Sequence, residues 1–372
     1  MIISIFFSLI ELDLFSSISI CCIEHLSNEL FYEIFEYLTC REIYKSFLKL
    51  NSRFEHLINN NCLLLRKIDL RLRTKSELKD TCQNFIIPNG HRILSLCLRN
   101  ELFINDFFTY CIKVSSFPRL QSIILRKIDI DKCVLLFHLK SLPNLFSLTM
   151  SIDGKYDYDH DLNNIYRMIL SFPSLKYNKV SVLSCYEDED EHTNISVPVA
   201  FNERFSTIEY LIINHLCTLN EILSVLPHTP RLYHLTCGKV IESREKFQNE
   251  KAIMLYKLTR IHIDMCEAWI DDFARFMSKL CAPIQVLRIK YHTGSDYLEA
   301  DEWEYLIKMR LPYLRTFDYE YHEAYVTNND AEHFHTKINR FTSPFWIKHQ
   351  WFFQFEINLD ERNLDCSIHS YR

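Results

Sequence analysis

Glycine is nearly missing from this chain, with 4 residues in 372. A glycine-built phosphate cradle needs several at close spacing, and neither G-x-G-x-x-G nor G-x-x-x-x-G-K occurs. A basic excess is missing too. Lys and Arg number 42 against 48 Asp and Glu, a formal net charge of −6. No broad basic face is implied, so nucleic acid is not an expected partner. The 14 cysteines include no C-x-x-C. Zinc sites need ligand pairs at short spacing, so that one turn presents two thiolates, and no metal is expected. Cys97, Cys111, Cys133, Cys237 and Cys266 stand among apolar residues. They read as small buried hydrophobes in a reducing compartment, cytoplasm or nucleus.

G-x-S-x-G, H-E-x-x-H and kinase signatures are absent. No histidine pairs with Cys or a carboxylate at ligand spacing, so neither an enzyme nor a cofactor is expected. A membrane-spanning run is missing as well. Residues 1–22 begin apolar, but Glu11 and Asp13 interrupt them. The uninterrupted stretch is about 10 residues, too short for a bilayer. No Lys or Arg precedes it as in a secretory signal, so an extra apolar helix or leader is expected there, and no membrane partner.

What is present is apolar enough to fold: 48% of residues are hydrophobic and 24% charged, which excludes a disordered chain. The length suits about two domains. Residues 23–62 are strongly helical in pattern. Ser27 and Asn28 can cap a helix, and Glu29 suits its first turn. Leu30, Ile34 and Leu38 recur every fourth residue with Phe31 and Phe35 beside them, a broad apolar stripe. Thr39-Cys40-Arg41-Glu42 fits a capping box for a second helix, buried through Ile43, Phe47 and Leu50. Phe54, Leu57 and Ile58 mark a third. So small a unit has more apolar surface than it can cover alone.

This segment resembles an F-box. Leu26, Glu29, Leu30, Ile34, Phe35, Tyr37, Leu38, Ile43, Phe47, Leu50 and Phe54 fall at the family's positions, while Ser27 replaces the usual proline. The resemblance implies docking onto a Skp-type adaptor that bridges to a cullin scaffold. Leu26, Leu30, Ile34, Phe35, Leu38, Ile43 and Phe47 are the candidate adaptor-binding residues.

Residues 63–340 repeat a stretch of form apolar-x-x-apolar-x-apolar. Copies begin at Ile93, Leu120, Leu145, Ile208, Leu232, Leu258, Ile284 and Leu314, with a looser one at Tyr177-Val180-Val182. Amphipathic stretches precede several copies and end in Pro118, Pro143, Pro173, Pro230 or Pro312, about two residues before the next strand start. Proline cannot continue a helix and biases its predecessor toward extended backbone. One helix–strand unit cannot bury its own apolar face, so neighbours must stack, strands into a parallel ribbon and helices outside it. The pattern resembles the leucine-rich-repeat family in an irregular form. Of the Asn or Cys that family places three residues past the third apolar position, only Cys266 is present. The expected fold class is therefore α/β: a three-helix F-box followed by an irregular leucine-rich-repeat-like solenoid.

Residues 341–372 are aromatic, with Trp351, Phe353 and Phe355 alternating as in a strand, and are expected to cap the solenoid. Asp157, Asp159 and Asp161 imitate a calcium loop, but Leu162 and Met168 stand where it needs glycine and glutamate. These residues and the acidic run at 187–192 read as solvated loops.

Residues between the buried strand positions should face outward together. Arg260, His262 and Asp264, then Arg288 and Lys290, then Asp318 and Glu320, would form one polar face, with Tyr210, Asn214, Tyr233 and His234 further along it. Tyr210, Tyr233, His234, Arg260, His262, Asp264, Arg288 and Lys290 are the candidate target-binding residues. The resemblances together imply a substrate-recognition adaptor of a cullin-type (SCF) ubiquitin ligase. The alternative is a repeat-type scaffold whose helical cap binds no ligase.

Overall fold

The computed structural model describes residues 26–38, 40–47, 50–60, 67–70, 74–99, 104, 106–108, 117–129, 136–154, 159–184, 192–194, 205–243, 251–292, 299–323, 336, 339–360 and 363–371. The leader at 1–22, Thr39, Cys111, Cys133, Asp157 and residues 187–191 lie outside them. The chain divides into two compact units, Met1–Leu65 and Arg66–Arg372.

In the first unit, α1 (Asn28–Glu36), α2 (Cys40–Phe47) and α3 (Ser52–Asn60) share one core. Ser27 caps α1, its Oγ accepting from Leu30 N–H at 3.4 Å. Phe31, Phe35, Phe47 and Phe54 pack ring on ring, with centroids 4.8 Å apart for Phe31–Phe54 and 5.2 Å for Phe35–Phe47. Such pairs add to simple area burial. Leu38, Ile43, Leu57 and Ile58 fill the remainder. Asn28, read as a cap, has another task. Its Oδ1 accepts from Arg53 Nη2 at 2.8 Å, while the same guanidinium donates to the Leu26 carbonyl at 2.6 Å. Arg53 thereby ties α3 to the start of α1.

The second unit is built on one 12-stranded sheet. Its strands are β1 (Lys67–Leu70), β2 (Ser95–Leu98), β3 (Ser122–Asp129), β4 (Ser147–Gly154), β5 (Tyr177–Ser184), β6 (Tyr210–Thr218), β7 (His234–Ile241), β8 (Arg260–Cys266), β9 (Val286–His292), β10 (Thr316–Glu323), β11 (Phe352–Asp360) and β12 (Asn363–Tyr371). Strands β1 to β10 follow one another in space as in sequence, and every neighbouring pair is parallel. The connections carry α4 (Lys75–Thr81), α5 (Leu136–Leu139), α6 (Asn163–Leu170), α7 (Leu219–Val225), α8 (Ile270–Lys279) and α9 (Ala300–Arg310). The α/β class and the parallel sheet agree with the sequence reading. A further copy that the reading passed over, Leu65-x-x-Ile68-x-Leu70, supplies β1.

Each copy buries its second and third apolar residues on one face. Leu96, Ile123, Leu148, Leu211, Leu235, Ile261, Leu287 and Phe317 are all buried there, aligned by register. The copy read as Tyr177-Val180-Val182 is corrected. Leu175 and Val180 are buried, and Asn178 pairs with Leu148 and Leu211 in the row of second positions. The true frame is Leu175-Asn178-Val180. Asn178 is fully buried and donates Nδ2–H to the Leu148 carbonyl at 3.3 Å.

Strand starts are held by a repeating main-chain device. The carbonyl just before each of β2 to β9 accepts two N–H groups from the next coil. Leu94 O takes Gln121 and Ser122 at 2.8 and 3.0 Å, and Gln121, Phe146, Lys176, Glu209, Tyr233, Thr259 and Gln285 do the same in turn. Strand ends are less regular, with register shifts at Arg126/Ile128, Ile213/Leu216 and Ile263/Cys266. Lys127, at φ 57°, is the extra residue of the first.

After β10 the chain reverses. The hairpin β11–β12 adds antiparallel, with β12 against β10. Before it, α10 (Pro344–His349) and the turn ahead of it bring Phe341, Trp346 and Trp351 onto Phe317 and Tyr319 of β10. Trp351 is buried just ahead of the strand that was expected to include it.

Candidate functional site

The helices cover the face that carries the apolar rows. Trp303 of α9 packs on Phe317 and Tyr319 at 5.2 and 5.5 Å, and Phe273 of α8 lies 5.8 Å from Trp303. The alternate positions of the same strands make the open face. Register places Tyr177, Tyr210, His234 and Arg260 in one row, and Lys179, Ile212, Thr236, His262, Arg288 and Asp318 in the next.

The sequence-derived residues of this face come together. Tyr210 lies 6.0 Å from Tyr233 and 6.3 Å from His234, ring to ring. The Arg260 guanidinium stands over Tyr233 at 5.9 Å. His262 Nε2 meets Asp264 at 3.0 Å, Arg288 meets Asp318 at 3.3 Å, and Lys290 meets Glu320 at 2.7 Å. His234 has its pKa lowered, first by burial and then by the nearby cations Arg260, His262 and Arg288. Asn214 donates to Ser181 Oγ at 3.1 Å. Gly238 on the next strand allows this close approach, since a Cβ there would stand 2.8 Å from Asn214 Oδ1 and 3.2 Å from its Cα. Tyr177 and Lys179 belong to the same face and were missed, although strict alternation along Tyr177-x-Lys179 marks them.

The adaptor-binding candidates separate into two sets. Phe35, Leu38, Ile43 and Phe47 are buried inside the helical unit. Leu30 is 39% exposed, and Leu26 and Ile34 are half-buried. Tyr37, at 74% exposed, extends Leu30 and Ile34 along one face of α1 at i, i+4, i+7. Leu50 is also exposed.

Two buried polar clusters stand apart from the open face. His215 projects inward where β6 shifts register. Its Nδ1–H donates to the Leu216 carbonyl at 2.7 Å, and its Nε2 accepts the Tyr166 hydroxyl at 2.7 Å. Burial lowers its pKa to about 4. Cys217, Cys237 and Cys266 are buried free thiols. A hydrogen bond to Cys237, and then burial, hold the Cys217 proton, and burial pushes Cys266 up to about 12, so neither is a nucleophile. Cys82, by contrast, is disulfide-bonded. Asp159 and Asp161 lie in a short strand paired with His192–Asn194. Among the described residues no group of three or more His, Cys, Asp or Glu could hold a metal, and no helix is long and apolar enough to cross a membrane.

The chain matches no protein-family model and no curated protein.

Proposed function

We propose that this chain is a non-catalytic substrate-recognition adaptor of a cullin-type ubiquitin ligase. Residues 23–62 dock on a Skp-type adaptor, and the open face of the sheet holds a protein target. The observation that carries the reading is the double stripe of α1. Phe31, Phe35 and Leu38 bury inward, with Ile34 packed in part against them, while Leu30 and Tyr37 stay exposed on the outer side. A solvated strip of that kind is the mark of a protein contact. An adaptor of this type works by raising the target's effective concentration beside the transferring machinery. It belongs in cytoplasm or nucleus; the Cys82 disulfide is the observation that leans toward an oxidising compartment instead.

Co-purification with a Skp-type adaptor tests the docking. Leu30→Asp with Tyr37→Asp should reduce capture at least about tenfold, since desolvating a charge in an apolar contact costs more than 1.4 kcal/mol. The far-ultraviolet spectrum should stay unchanged, because both side chains are exposed. A wild-type chain that captures no such adaptor leaves the scaffold reading standing instead.

A further inference from the structure

The acids of the open face are already matched. Asp69 holds Arg99 at 2.7 Å, Glu209 holds Lys176 at 3.2 Å, and Asp264, Asp318 and Glu320 hold His262, Arg288 and Lys290. On β5 to β8 two cations remain over, Lys179 and Arg260. Arg260 is exposed and meets no carboxylate among the described residues; its guanidinium stands over the Tyr233 ring. Lys179 is half-buried on β5 and likewise meets no carboxylate there. A cation–π contact uses the face of the guanidinium and leaves its in-plane N–H fork open for a carboxylate. His234 has its pKa lowered by burial first and then by the neighbouring cations Arg260, His262 and Arg288, on a chain whose formal charge is −6.

We propose that this face binds an acidic segment of a protein partner, with Arg260 anchoring one carboxylate and Lys179 a second. Lys179 and Arg260 are separated by the strand steps β5–β6, β6–β7 and β7–β8, about 14 Å at the usual strand spacing. An extended segment crosses that distance in about four residues. Tyr210, Tyr233 and Ile212 line the path between the anchors, offering ring and aliphatic surface to the intervening side chains. Two unmatched cations on these four strands suit two carboxylates. A nucleic-acid backbone wants many more, since its affinity grows with the number of phosphates neutralised. The inference rests on the reading of this face as the target-binding surface and is independent of the helical unit.

The test uses the full chain and fluorescein-labelled hexaglutamate, hexaglutamine and hexalysine, with oligothymidine as a fourth probe. Anisotropy titrations at low salt should show hexaglutamate binding at least about tenfold tighter than hexaglutamine, with the difference shrinking at high salt. Arg260→Glu and Lys179→Glu should each remove about tenfold, the scale of one charge-assisted hydrogen bond. If Arg260→Glu fails to fold, Arg260→Gln serves in its place. Equal binding of the three peptides, tighter binding of oligothymidine, or an Arg260 variant that binds as the wild type does would overturn the proposal. Skp-type adaptor capture is measured on the same preparations. Capture lost while hexaglutamate still binds removes the ligase reading alone. Capture intact without the acidic preference removes this inference alone.

Discussion

Acidification should weaken the fold through one histidine. His215 is buried and neutral, accepting the Tyr166 hydroxyl and donating to the Leu216 carbonyl. Burial lowers its pKa from 6.5 to about 4. The unfolded chain regains the ordinary value, so between these two pH values it binds a proton that the folded chain refuses. Stability contributed by the neutral ring is therefore complete above pH 6.5. It falls as pH drops, by about 1.4 kcal/mol per unit, and levels off near pH 4. The difference of 6.5 − 4 = 2.5 units amounts to about 3 kcal/mol, a large part of an ordinary domain's stability. Urea denaturation of the wild type and of His215→Gln at half-unit steps from pH 7.5 to 4 measures it. The variant loses stability at neutral pH, and its acid slope is shallower by that amount. Parallel slopes for the two proteins would refute the assignment of a neutral, buried imidazole.

Trp303 is fully buried against Phe273, Tyr291, Phe317 and Tyr319. Trp303→Ala should cost about 3–5 kcal/mol by thermal or urea unfolding. Asn178 occupies an apolar row, and its Oδ1 meets no donor among the protein atoms. Asn178→Leu should raise stability by about 1–2 kcal/mol, and a lower midpoint would show the amide to be needed. Thiol titration of the unreduced, denatured chain should find at most 12 reactive groups, the 14 cysteines less the two of the Cys82 bridge. A count of 14 would return Cys82 to the free thiols and remove the argument for an oxidising compartment.

Much of the sheet was legible in the sequence because its signal is repeated and physical. The apolar-x-x-apolar-x-apolar stretch states which residues turn inward, and the proline two residues ahead states where the strand begins. At Tyr177 these signals disagreed. Pro173 points to Leu175, but an asparagine in the second apolar position disguised the frame, and Val182 offered a tempting substitute. Of the hairpin β11–β12, the first strand was legible in the alternation of Phe353 and Phe355, but β12 and the antiparallel addition were not, since they break the pattern of the ten strands before them. On the open face, alternation was enough to bring Tyr210, Tyr233, His234 and Arg260 together. It could not say which charges would pair: the ion pairs Arg288–Asp318 and Lys290–Glu320 depend on register, which single strands do not encode. In the helical unit, periodicity located one broad stripe but not its division. The core needs only part of that stripe, and Phe31, Phe35 and Leu38 occupy it.

The paired N–H groups that each coil sends to the carbonyl before it involve main-chain atoms alone. That fastening asks nothing of the side chains standing on the solvent side of each strand. Tyrosine, serine, lysine or arginine can follow one another there while the same clasp closes beneath them. Mutation can thus rewrite the recognition surface one rung at a time on an unchanged frame.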